Sequence, residues 1–141
     1  MVIEDYWDGE NWLEKIKNYK IIYKLNDKMH RKDGPAVIYY FDNGKIQSEI
    51  YYYNNKFHRN NGPALIEYYF NEKIQSERYL QNSKRHRTDG PASIEYYING
   101  SIKLEEYYIN GIEITSKDLP FELPLDTEEK ELYFKLKYGK Q

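Results

Sequence analysis

Residues 58–85 read HRNNGPALIEYYFNEKIQSERYLQNSKR. The preceding residues open as HRKDGPAVIYY at His30, and the following ones open as HRTDGPASIEYY at His86. From His30 to His58 and from His58 to His86 the step is the same 28 residues, so no insertion separates the copies. Internal repetition at a fixed period is the first feature to settle, because it decides the architecture. Each copy runs through Asn43, Asn71 or Asn99 into a second segment, KIQSEIYYYNNK, KIQSERYLQNSK or SIKLEEYYINGI. A worn half-copy precedes them, with Ile22 to Lys28 in line with Ile50 to Lys56.

Within a copy the apolar residues alternate: Ala36, Ile38 and Tyr40; Ala64, Ile66 and Tyr68; Ala92, Ile94 and Tyr96. Period two is the mark of a strand with one buried face. The second segment alternates as well, Ile46, Ser48 and Ile50 against Gln47, Glu49 and Tyr51. Parity selects the turn between the two strands. A three-residue loop with Gly44 in the left-handed region sets Tyr40 opposite Ile46 and Ile38 opposite Ser48, which sorts apolar from polar. In the middle copy Glu72 takes the glycine position, at a strain cost of about 1 kcal/mol. Asn54-Asn55 and Asn110-Gly111 signal a second, tight hairpin, and each Gly-Pro predicts a bend, since proline cannot donate to a ladder.

The expected fold is therefore all-β with a small C-terminal helix: an antiparallel meander of repeated hairpins, about seven strands in an open elongated sheet. Residues 1–141 form one domain. They divide into an N-terminal cap (1–15), a degenerate half-repeat (16–29), repeats at 30–57, 58–85 and 86–114, and a linker with a capping helix (115–141). Residues 7–17 read equally as a short helix or a worn strand. Asp126 is the expected N-cap of the C-terminal helix, Glu129 its capping-box partner, and Leu132, Tyr133 and Leu136 its apolar side.

Composition narrows the function. Lysine and arginine number 21 against 23 aspartates and glutamates, a formal charge of -2. That balance excludes block-charge disorder and argues against a strongly cationic nucleic-acid binder. Cysteine is absent, which removes disulfides and thiolate chemistry. The acidic opening MVIEDYWDGENW shows no signal-peptide core, so a cytoplasmic location is expected.

The motif HRxDGPAxIxYYxNGxIxxExYYxNG resembles the variant MORN-type repeats found in bacterial antitoxin-like proteins and in many proteins of large DNA viruses and phages. The resemblance covers roughly residues 16–114. It implies a repeated β-hairpin sheet that contacts a protein, a lipid or another ligand, and it implies no reaction.

Candidate residues follow from the repeat. Equivalent histidines lie two strands apart, about 10 Å, whereas zinc ligands sit within about 4 Å of one another; no metal is expected, and no cofactor. Glu49, Glu77 and Glu105 recur once per unit and read as a solvated sheet face, so no enzyme is expected. Arg31, Arg59 and Arg87 form a ladder that could hold anions or pair with nearby carboxylates. Tyr40, Tyr68 and Tyr96 read as core. Tyr39, Tyr51, Tyr69, Tyr79, Tyr97 and Tyr107, with Glu67 and Glu95, are assigned to the opposite, polar face as a partner-binding surface. The expectation is a non-enzymatic protein-binding module, most concretely an inhibitor or antitoxin-like neutraliser, with viral anti-defence as one setting. Nucleic-acid or anionic-lipid binding is the alternative. The two open sheet edges also leave room for a homo-oligomer.

Overall fold

The computed structural model describes residues 3–7, 12–16, 20–115 and 127–139. Two strands open the chain, β1 (Ile3–Trp7) and β2 (Trp12–Ile16), followed by β3 (Lys20–Leu25) and the short β4 (Lys28–Met29). The next unit supplies β5 (Val37–Tyr40), β6 (Ile46–Ile50), β7 (Tyr52–Tyr53) and β8 (Lys56–Phe57). Its successor supplies β9 (Leu65–Tyr68), β10 (Ile74–Arg78), β11 (Leu80–Gln81) and β12 (Lys84–Arg85). The array ends with β13 (Ser93–Tyr96), β14 (Ile102–Ile109) and β15 (Ile112–Ile114), and helix α1 (Thr127–Tyr138) follows.

The long strands form one antiparallel sheet in the order β1-β2-β3-β5-β6-β9-β10-β13-β14-β15, and it does not close on itself. This is the expected meander with more strands than seven. Within the stretch 7–17, Trp7 and Trp12–Ile16 are strand, with Trp7 opposite Trp12, and the hairpins at Asn54-Asn55 and Asn82-Ser83 form two-stranded arms of their own. Lys56–Phe57 and Lys84–Arg85 pair only within those arms and do not run on into the next long strand.

Both turn types follow from local chemistry. Asn26-Asp27, Asn54-Asn55, Asn82-Ser83 and Asn110-Gly111 all have positive φ at both positions, the geometry that lets a two-residue turn follow the twist of its strands. The longer loops place Gly44 and Gly100 at φ 86° and 92°, and Glu72 adopts φ 70° at the same site. Asn43, Asn71 and Asn99 fasten these loops, each side-chain oxygen accepting the N–H two residues on, at 3.0, 3.1 and 2.9 Å.

Tyr40 does lie opposite Ile46, but Ile38 lies opposite Glu49 and not Ser48. Gln47 is an extra residue bulged out of the ladder, and Gln75 and Lys103 do the same in β10 and β14. One unpaired residue inverts the parity of everything after it. One face, called here the inner face, thus carries the row Ile21, Ile38, Glu49, Ile66, Glu77, Ile94 and Glu105. The other, outer face carries Lys20, Tyr39, Ser48, Glu67, Ser76, Glu95 and Leu104.

A single-layer sheet buries little, so the core is thin and repeated. Ala36, Ala64 and Ala92 are wholly buried, and Ile38, Ile66 and Ile94 are buried beside them. The interior joints between units use a planar stack. The guanidinium of Arg31 lies 3.9 Å above the ring of Tyr23, Arg59 3.9 Å above Tyr51, and Arg87 4.0 Å above Tyr79. Each then donates Nη1 to the proline carbonyl of its own loop, at 3.3, 3.1 and 3.1 Å. Glycine precedes that proline for a steric reason: a Cβ at Gly62 would stand 2.9 Å from the guanidinium carbon of Arg59.

The last unit has no such arginine. Tyr107 is covered by Phe134 of α1, stacked at 4.3 Å, and Phe134 is wholly buried. Phe134 is therefore the anchor of the helix, while Leu132 and Leu136 are exposed, contrary to the expected apolar side. Gly139 ends the helix, its N–H donating to Lys135 O at 3.0 Å. The expected N-cap, Asp126, lies outside the described residues.

Candidate interaction surface

The bulges redistribute the tyrosines. Tyr39 lies on the outer face, in register with Ser48, and Glu67 and Glu95 lie in the same row. Tyr69 and Tyr97 follow Tyr68 and Tyr96 at the sheet rim, on the outer side by strand alternation. Tyr51, Tyr79 and Tyr107 belong to the inner face, a correction to their assignment. Tyr107 stands two residues beyond Glu105, to whose carboxylate it donates at 3.2 Å, and Glu105 is opposite Ile94. Tyr51 and Tyr79 lie under Arg59 and Arg87, close to Tyr68 and Tyr96.

The inner face is consequently a closed polar network. Tyr68 Oη donates to Glu49 Oε1 at 2.5 Å, and Tyr96 Oη donates to Glu77 Oε1 at the same distance. Burial, then these hydrogen bonds to carboxylates, push both phenols up from their ordinary range. Tyr107 moves the same way through burial and Glu105. Glu49 and Glu77 are thus not on a solvated face: each is the acceptor for the next unit's tyrosine.

The arginine ladder is tied into the joints just described. Arg87 also donates Nε to Asp89 at 2.9 Å. The histidines tie units together as well. His30, His58 and His86 accept at Nδ1 from the backbone N–H of Asn54, Asn82 and Asn110, at 3.2, 3.2 and 2.9 Å. That contact requires the neutral ring with its proton on Nε2. Burial lowers the pKa of His86 from its ordinary value. Among the described residues no group of three or more histidines and carboxylates is placed to hold a metal ion.

What stands open is the rim on the outer side; further along that face Ile22, Val37, Ser76 and Ser93 are buried. Ser76 Oγ and Arg78 Nη1 donate to Glu67 Oε1 at 3.2 and 3.3 Å. A shallow depression of about 160 Å³ lies beside this cluster, between Tyr69, Glu95 and Lys103. Glu95 has no side-chain partner among the described residues. Tyr69 is half spent, donating its hydroxyl to Tyr96 O at 2.7 Å, whereas Tyr97 is 51% exposed. Next to them Phe70, Ile98 and Leu104 are 62%, 60% and 44% exposed, with Phe70 touching Phe41 ring to ring at 4.6 Å. Phe70, Ile98 and Leu104 were not among the candidates. For Phe70 and Ile98 the available signal was an apolar residue at the turn position where the first copy has Asp42; Leu104 stands where the earlier copies have Ser48 and Ser76.

Comparison with family models, with curated proteins and with solved structures returns no match for this chain. No helix among the described residues is long and apolar enough to cross a membrane.

Proposed function

We propose that the chain is a non-enzymatic, MORN-like repeat module that binds another protein through the outer face of its sheet and so masks that partner's surface, as an inhibitor or antitoxin-like neutraliser does. The carrying observation is a cluster of exposed aromatic and aliphatic side chains at one rim of the sheet. Inner tyrosines are consumed by arginines and carboxylates, while Tyr97, Phe70 and Ile98 at the turns and Leu104 opposite Glu95 are exposed, and Glu95 has no side-chain partner among the described residues. Rigid aromatic and aliphatic groups around a few polar ones have the composition of an interface centre. Tyr97, Phe70 and Ile98 stand on turns fastened by Asn71 and Asn99, and Leu104 on strand β14, so little entropy is lost on docking. Nucleic-acid or lipid binding through the arginine ladder has less support, because the chain has a net charge of -2 and two of the three loops carry an aspartate, Asp33 and Asp89, beside the arginine.

The test is a paired capture from the native host with wild-type chain and a Tyr97→Ala/Glu95→Ala variant. A stoichiometric protein retained by the first and weakened at least about tenfold by the second supports the reading. Equal retention by both chains, or no stoichiometric protein with either, overturns it.

A further inference from the structure

Two open clefts flank the second His-Arg loop. One, of about 730 Å³, is lined by Arg59, Asn61, Gln81, His86, Arg87 and Asp89; the other, of about 490 Å³, has Arg31, Lys32, Asp33, Tyr51 and Arg59 on its walls. Arg59 borders both. Cations outnumber carboxylates around each cleft, Arg31, Lys32 and Arg59 against Asp33 in one, Arg59 and Arg87 against Asp89 in the other.

The two arginines of the larger cleft differ in one contact. Arg87 makes three contacts: its guanidinium carbon lies 4.0 Å over the Tyr79 ring, Nη1 donates to Pro91 O, and Nε donates to the carboxylate of Asp89 at 2.9 Å. Arg59 repeats the first two contacts with Tyr51 and Pro63, but Asn61 stands where the third loop has Asp89. Among the described residues no carboxylate lies within ion-pair distance of Arg59. Its backbone is held as well, since Gln81 Nε2 donates to Arg59 O at 2.7 Å. The second loop thus holds a guanidinium immobilised in the same pose, bordering both clefts and lacking, among the described residues, the anion that Arg87 has.

We propose that Arg59 is the docking point for a carboxylate of the bound protein, an Asp or Glu side chain inserted where Asp89 serves Arg87. The inference rests on the reading of the chain as a protein binder, and adds to the outer rim a contact on the inner side, where Arg59 lies over Tyr51. Carboxylate is the ligand class because the third loop displays that pairing, and because the planar fork of a fixed guanidinium matches a carboxylate. Immobilising the arginine beforehand removes most of the entropic cost that weakens ordinary surface ion pairs.

The experiment uses the full chain with ¹⁵N-labelled arginine and follows the side-chain Nε–H resonances during titration with a hexaglutamate peptide, with inorganic phosphate as a second arm. Arg59 should shift saturably with the peptide while Arg87 does not. Asn61→Asp supplies the sister loops' own residue, and should weaken the peptide at least about tenfold. Asp89→Asn should make Arg87 responsive. An Arg59 signal unmoved by peptide, a response to phosphate alone, or an Asn61→Asp chain that binds as wild type overturns the proposal. None of these results depends on Tyr97 or on a captured partner, so failure here is separable from failure of the preceding reading.

Discussion

The interior joints and the terminal joint of this array solve one problem with different chemistry. A tyrosine at the end of each unit must be covered by something from the next. Inside the array the cover is an arginine, delivered by the His-Arg loop and able to stack, donate and stay partly wet. At the end there is no next unit, and Phe134 of α1 covers Tyr107 instead. A guanidinium suits a joint that has loop carbonyls waiting for its protons. A phenyl ring covers by area alone and asks for no acceptor. Among the described residues the end is therefore held chiefly by ring burial, and the interior by a mixture of burial and directed bonds.

Breaking the terminal joint should have the largest effect. Phe134 is wholly buried, so Phe134→Ala should cost about 3–5 kcal/mol in urea unfolding and release the helix, seen as lost helical dichroism. Arg87→Ala should cost less, about 2 kcal/mol, as a stacked cation and its charged hydrogen bonds are lost together. Arg87→Lys should recover little of it, because an ammonium cannot stack. Equal costs for Phe134→Ala and Arg87→Ala would erase the distinction between the joints.

Smaller changes sharpen it. Ser93 is buried with its hydroxyl unpaired, at the position where the earlier copies carry Val37 and Leu65. Ser93→Val should therefore stabilise the joint between β10 and β13 by about 1 kcal/mol, read as a raised urea midpoint. The smallest effect concerns pH. His86 is neutral when it accepts from Asn110, and burial lowers its pKa in the folded chain, so the unfolded chain binds the proton first. Its contribution is full above pH about 6.5 and is lost as pH falls through the lowered folded value. The urea midpoint should drop on acidification across that window, and His86→Leu should flatten part of the drop.

Much of this was legible in the residues. The Asn-Gly and Asn-Asn turns, the left-handed site forced on Glu72 and the alternation of β5 and β9 all depend on neighbours a few positions away. The face of each tyrosine after Gln47, Gln75 and Lys103 was not. A bulge leaves no strong local signature, yet it moved Tyr51, Tyr79 and Tyr107 to the other side of the sheet. Of the outer-face residues proposed for binding, Tyr39, Tyr69, Tyr97, Glu67 and Glu95 keep their place.

By itself the order of residues decided the unit, its turns and the antiparallel meander, because those are set by backbone preferences within one hairpin. Only the folded chain decided which rings are covered and by what. Arg59 meets Tyr51, and Phe134 meets Tyr107, across loops whose path no short-range preference dictates. Pairing at that range is chosen by shape, burial and the carbonyls left to be satisfied, and those exist only once the sheet has formed.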